Sequence, residues 1–149
     1  MFFDTYSNMQ QGHQQYISVM VNDGTQAYDH SKDGGDAKLA GCPLDFRGKD
    51  SSVFARILYQ ENLLRLYLDA GQGEWQECFI VRNVHLPRGH YFGVSAATGD
   101  LADNHDILSI KVGRAKGMRD YIIIPNKESG NIETAIGTSA VVSLRHCFS

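Results

Sequence analysis

Two alternating runs separated by Glu61-Asn62 constrain the fold more than any other feature of this chain. Over residues 63–68, Leu64, Leu66 and Leu68 share one face, and Leu63, Arg65 and Tyr67 share the other. Successive side chains on a strand point to opposite faces, so runs 53–59 and 63–68 predict an antiparallel hairpin with its leucine face buried. Residues 16–21 alternate in the same way, placing Ile17, Val19 and Val21 together. Asp23-Gly24 follows, a hairpin signal because both residues tolerate positive φ, and a return strand is expected over 26–28. Residues 79–81, 90–97 and 107–112 are further strand candidates, the second of them after the turn at Leu86-Pro87-Arg88-Gly89. No stretch sustains a helical period. Short strands between frequent turns predict an all-β, antiparallel sandwich or barrel.

At 149 residues the chain is long enough for one domain with a buried core. A net charge of -3 without a polybasic stretch argues against nucleic acid as a partner. No apolar run approaches the ~20 residues that span a bilayer, and the start, Met1-Phe2-Phe3-Asp4, does not read as a signal peptide. The three cysteines, Cys42, Cys78 and Cys147, leave at least one unpaired. After Val112 the pattern weakens. Residues 113–149 read as a divergent, poorly ordered tail able to contribute one strand, against the alternative that they complete the domain.

Three stretches carry candidate chemistry. Asp4-Thr5-Tyr6-Ser7-Asn8 sets a carboxylate and a carboxamide either side of the Tyr6 carbonyl, oxygens that a hard cation such as Ca²⁺ accepts. The same spacing also suits an ordinary Asx-turn. Tyr28-Asp29-His30-Ser31-Lys32-Asp33-Gly34 copies the first half of an EF-hand loop, but the twelfth position is Ala40, which has no side-chain oxygen, and that motif is rejected. A cation loop of another kind and a plain solvated loop both remain open. Residues 91–106 lead through Gly99-Asp100-Leu101, a loop suited to gripping vicinal hydroxyls or simply a polar turn. Zinc is disfavoured, because no His-x-x-x-His pair or CxxC knuckle occurs. Catalysis is disfavoured too, since neither a paired acidic motif nor a Gly-x-Ser-x-Gly elbow is present.

Taken in order, Phe2-Phe3-Asp4-Thr5-Tyr6-x-Asn8, residues 16–22, residues 28–34, Gly41-Cys42, Asp45-Phe46-Arg47 and residues 92–109 resemble the L-type (leguminous-type) lectins of the animal early secretory pathway. The branch cycling between ER and Golgi is the nearer likeness. The resemblance implies a concanavalin-like jelly roll over residues 1–112 and no enzymatic activity. It implies calcium-dependent binding of high-mannose N-glycans on glycoprotein cargo, in the lumen of the ER, the ER–Golgi intermediate compartment and the Golgi. Calcium ligands would fall on Asp4, the Tyr6 carbonyl, Asn8 and Asp33. Mannose contacts would fall on Asn8, His30, Gly99, Asp100 and Leu101. Asn8 would give its oxygen to the ion and its amide nitrogen to the sugar. Protonation of His30 in a mildly acid medium would then weaken binding. Cys42 and Cys78 match the family's disulfide, as an oxidising lumen permits, and Trp75 is expected to pack beside it.

Two departures shape the alternatives. Domains of the family begin well before Met1, so the front half of the sandwich, with further sugar contacts, is expected to be absent here. Full-length relatives also continue into a membrane anchor that residues 114–149 do not resemble. The competing expectation is therefore a truncated isoform or fragment with no autonomous sugar binding.

Overall fold

A computed structural model describes residues 1–6, 8, 15–99, 102–114, 121–124 and 138–145, with the strands at 121–124 and 138–145 known by their backbone pairing. Nine strands among these residues form two sheets, every pairing antiparallel. Strands β1 (Phe2–Asp4), β2 (Tyr16–Val19) and β3 (Ala40–Pro43) make a three-stranded sheet in that order. The second sheet contains β4 (Val53–Gln60), β5 (Leu63–Asp69), β6 (Gln76–Val81), β7 (Asp106–Arg114), β8 (Tyr121–Ile124) and β9 (Thr138–Arg145). Its strand order is β6-β5-β4-β9-β7-β8.

The central hairpin forms as its pattern dictates. Glu61 and Asn62 adopt φ of 51° and 60°, the left-handed pair that a two-residue turn needs to match strand twist. Pairing Gln60 with Leu63 then sets Ala55 opposite Leu68 and Ile57 opposite Leu66. Leu64, Leu66 and Leu68 are buried with Val53 and Ala55, and the same core takes in Ile17 and Val19 of β2 and Phe46 of the following loop. A core shared between two antiparallel sheets makes the domain a β-sandwich.

Covalent and steric locks hold the layers in place. Register between β5 and β6 shifts at Leu66/Tyr67, leaving Cys78 as the extra residue of a bulge. Cys78 is disulfide-bonded to Cys42 of β3, with Cα atoms 5.5 Å apart, so the two sheets are cross-linked. Beside Cys42, a Cβ on Gly41 would lie 2.5 Å from the Ile17 carbonyl oxygen, a contact only glycine avoids.

Three expectations are corrected. No return strand forms over 26–28. Instead Asn22 Oδ1 accepts from the Gly24 and Gln26 nitrogens and Asp23 Oδ1 accepts from Thr25, closing the loop on its own side chains. Residues 90–97 form no strand either. Alternation makes a strand only where an edge pairs with it, and here Tyr91 is 71% exposed and Phe92 46%. After residue 113 the sheet takes two strands rather than one, with β9 inserted between β4 and β7. These strands fall on the two apolar runs at 121–124 and 140–144.

Candidate functional site

β1 ends at Asp4, and the chain turns there because Asp4 Oδ1 accepts a hydrogen bond from the Tyr6 nitrogen at 3.0 Å. The loop after residue 28 is built around a short 3-10 turn, His30–Lys32. Asp29 caps it, accepting from the Ser31 nitrogen at 3.1 Å and its Oγ at 2.7 Å, with Lys32 Nζ 3.7 Å away. Asp29 is thereby committed to its own loop. Asp33 and Gly34 follow in left-handed conformations, φ 49° and 92°, and fold the Asp33 carboxylate inward until the residue is only 7% exposed.

Aromatic packing brings this loop to β1. Tyr28 stacks on Phe2 with ring centroids 4.5 Å apart, and a Cβ on Gly34 would stand 3.0 Å from the Tyr28 ring. The Asp33 carboxylate, so placed, accepts from Asn8 three times: from its main-chain nitrogen at 3.2 and 3.0 Å, and from Nδ2 at 2.6 Å. Asp4, Asn8 and Asp33 are thus gathered at one end of the three-stranded sheet.

The gathered charges feel one another. Burial pushes the Asp4 carboxyl above its ordinary value and nearby Asp33 pushes it further, while the Tyr6 hydrogen bond, Lys38 and His30 work in the opposite direction. The Tyr28 phenol is raised as well, by burial first and then by Asp4 and Asp33. Two partly desolvated carboxylates repel, and a cation between them would reverse the sign of that interaction. Among the described residues no three His, Cys, Asp or Glu side chains converge on one point. A metal here would therefore depend on the Asp4 and Asp33 carboxylates plus carboxamide and carbonyl oxygens, a hard donor set suited to Ca²⁺ rather than Zn²⁺. Asn8 and the Tyr6 carbonyl are the residues able to complete it.

The remaining expected residues are placed less closely. His30 is exposed on the rim of the cluster, near enough for its charge to be felt at Asp4. The Asn8 nitrogen expected to face sugar is turned onto Asp33 here. Gly99 is exposed, with open space where a Cβ would be. Asp100 and Leu101 lie outside the described residues. Trp75 carries the Arg56 guanidinium 3.9 Å above its ring, so its face is already occupied.

Gln15 was not singled out in the sequence. Its Oε1 accepts from the Phe46 and Arg47 nitrogens at 2.7 and 2.6 Å, tying the loop after β3 to the start of β2. No local pattern announces a side-chain bond spanning that much sequence.

A cross-linked antiparallel sandwich with acidic and carboxamide oxygens gathered at the end of one sheet defines a class of β-sandwich with a candidate hard-cation site. Comparison with known proteins gives the family. Residues 1–119 match the model of the legume-like lectin family, and the chain belongs to that family. It is 49% identical over 114 residues to mouse vesicular integral-membrane protein VIP36, covering 74% of this chain and 32% of that protein. It is 43% identical over 122 residues to mouse VIP36-like protein, covering 79% and 35%. Human ERGIC-53 is 39% identical over 112 residues, covering 72% and 22%. The crystal structure of the VIP36 exoplasmic/lumenal domain in its Ca²⁺/Man3GlcNAc-bound form superposes with a TM-score of 0.63 at 33% identity, over 98% of this chain and 49% of that one. The chain thus spans about a third of the length of the VIP36 proteins it matches. These relatives are lectins, not enzymes.

Proposed function

We propose that this chain is a calcium-dependent lectin module recognising high-mannose glycans on glycoprotein cargo in the lumen of the early secretory pathway. The observation that carries the reading is the convergence of Asp4, Asn8 and Asp33. Calcium would rest on the two carboxylates, the Asn8 side-chain oxygen and the Tyr6 carbonyl. When bound, the ion supplies positive charge and fixed geometry, not chemistry on the sugar. The protein's own part would be to hold Asn8 and His30 toward mannose hydroxyls, with Gly99, Asp100 and Leu101 contributing backbone nitrogens and one carboxylate.

Support comes from a relative whose lumenal domain is described with Ca²⁺ and Man3GlcNAc bound. The Cys42–Cys78 disulfide is in keeping with a lumenal, oxidising compartment. Among the described residues no helix is long and apolar enough to cross a membrane. A high-mannose glycopeptide immobilised on a surface tests the reading. The chain is expected to bind in calcium, to be released by chelator, and to be competed by free mannose but not galactose. Retention on the glycopeptide in chelator, or competition by both sugars alike, contradicts it.

A second reading is favoured by the exposed stretch 85–99: a chain with the family fold but without sugar binding of its own. Saturable calcium binding with no retention on the glycopeptide would select it.

A further inference from the structure

We propose that Arg47 and Asp103 are positioning residues, holding the arm that carries Gly99 in a fixed place relative to the Asp4–Asp33 cluster. The inference deepens the lectin reading and, for its effect on sugar, rests on it. Among the described residues between Val84 and β7 none is in a strand pairing, and every residue from 85 to 99 is exposed. Near the end of this arm the situation reverses. The Asp103 side chain is 6% exposed, and its Oδ2 lies 3.0 Å from Nε of Arg47, an ion-pair contact not aligned as a hydrogen bond.

Arg47 is itself well fixed. Its nitrogen and that of Phe46 both donate to Gln15 Oε1, and Phe46 is 1% exposed. The Phe46 ring meets Phe3 edge-on at 6.1 Å, and Phe3 precedes Asp4 on β1. A continuous packed path therefore runs from the Asp4 strand through Phe3, Phe46 and Arg47 to Asp103. The other two ion pairs among the described residues, Lys32–Asp29 and Lys49–Asp45, join neighbours in sequence and are much more exposed. Only Arg47–Asp103 among them spans distant segments with one partner buried. Desolvating a carboxylate costs free energy that a nearby cation offsets, so replacing Arg47 leaves the buried Asp103 charge uncompensated. The pair thus fixes where the arm leaves the domain.

Hydrogen exchange of the full chain, read by mass spectrometry, tests the inference without any ligand. Asp103→Asn and Arg47→Gln are each expected to speed exchange over residues 103–110, where the arm enters β7, by about tenfold or more while the β2 and β3 strands keep their protection. Calcium affinity should hold within about twofold, whereas affinity for a mannose oligosaccharide should fall about tenfold. The charge swap, Arg47→Asp with Asp103→Arg, should restore both exchange and sugar affinity, which a variant that merely misfolds would not do. Unchanged exchange over 103–110 in both single variants overturns the proposal, as does faster exchange spread evenly over the whole chain that the swap does not repair. If the unmodified chain bound no sugar, the lectin reading would fail, and the exchange pattern alone would still decide for or against the positioning role.

Discussion

Asn8 donates to the Asp33 carboxylate from both its main-chain nitrogen, at 3.0 Å, and its side-chain Nδ2, at 2.6 Å. One carboxylate therefore joins the segment after β1 to the loop after residue 28. Asp33 thus has a structural part in the cluster, distinct from the calcium-binding part proposed for it.

Replacing Asp33 should separate these parts. Asp33→Asn keeps a residue that tolerates the left-handed φ of 49° and keeps an acceptor, whereas Asp33→Ala loses both. Hydrogen bonds to a charged group contribute about 1.5–3 kcal/mol, so urea unfolding should show a loss of that order for alanine and a smaller one for asparagine. Calcium binding should drop in both. Full calcium affinity in Asp33→Ala would remove Asp33 from the ligand set.

Calcium binding should also depend on pH through Asp4. Burial first, then Asp33, holds its carboxyl above the ordinary value. A raised acid binds its proton more tightly when folded. The stability it contributes is present below the unfolded value and lost as pH rises through the folded one. Without calcium, ionising Asp4 works against the fold as pH climbs through the carboxylate range. With calcium the ionised form is the ligand, so the melting temperature gained on adding the ion should grow over that interval. Melts with and without calcium between acid and neutral pH check this. A calcium-induced gain that is constant across the range would contradict it.

The Cys42–Cys78 disulfide joins β3 to the bulge of β6 and should stabilise the sandwich mainly by restricting the unfolded chain, by about 2–4 kcal/mol. Cys42→Ser with Cys78→Ser, or reduction, should lower the urea midpoint accordingly. Calcium affinity should change little in the molecules still folded, because β2 lies between β3, which carries Cys42, and β1, which carries Asp4.

The stretch with Tyr91, Phe92 and Val94 presents apolar side chains to solvent on unpaired backbone, a combination that favours association. Val94→Lys and Phe92→Ser should reduce concentration-dependent scattering with little effect on the melting temperature. A large loss of stability would show that these side chains are packed in solution.

How much of this was legible in the sequence follows from how local each determinant is. The β4–β5 hairpin could be read because its turn residues and its leucine face sit within one short window. Residues 90–97 misled because alternation records which face a side chain would occupy, not whether an edge exists to pair with. β9 was hard to place because it lies between β4 and β7, remote in sequence from one of them. Within the candidate site, the acidic and carboxamide residues stood out through resemblance. What gathers them did not: the Phe2–Tyr28 stack, the Gln15 side-chain bridge and the Arg47–Asp103 pair each join segments that no local pattern relates.

Titration calorimetry of the unmodified chain, with calcium first and then a mannose oligosaccharide, measures whether sugar binding depends on the ion. Saturable calcium binding is expected, lost in Asp33→Ala, with heat from the sugar appearing only once calcium is bound. Equal sugar binding in calcium and in chelator would contradict the account.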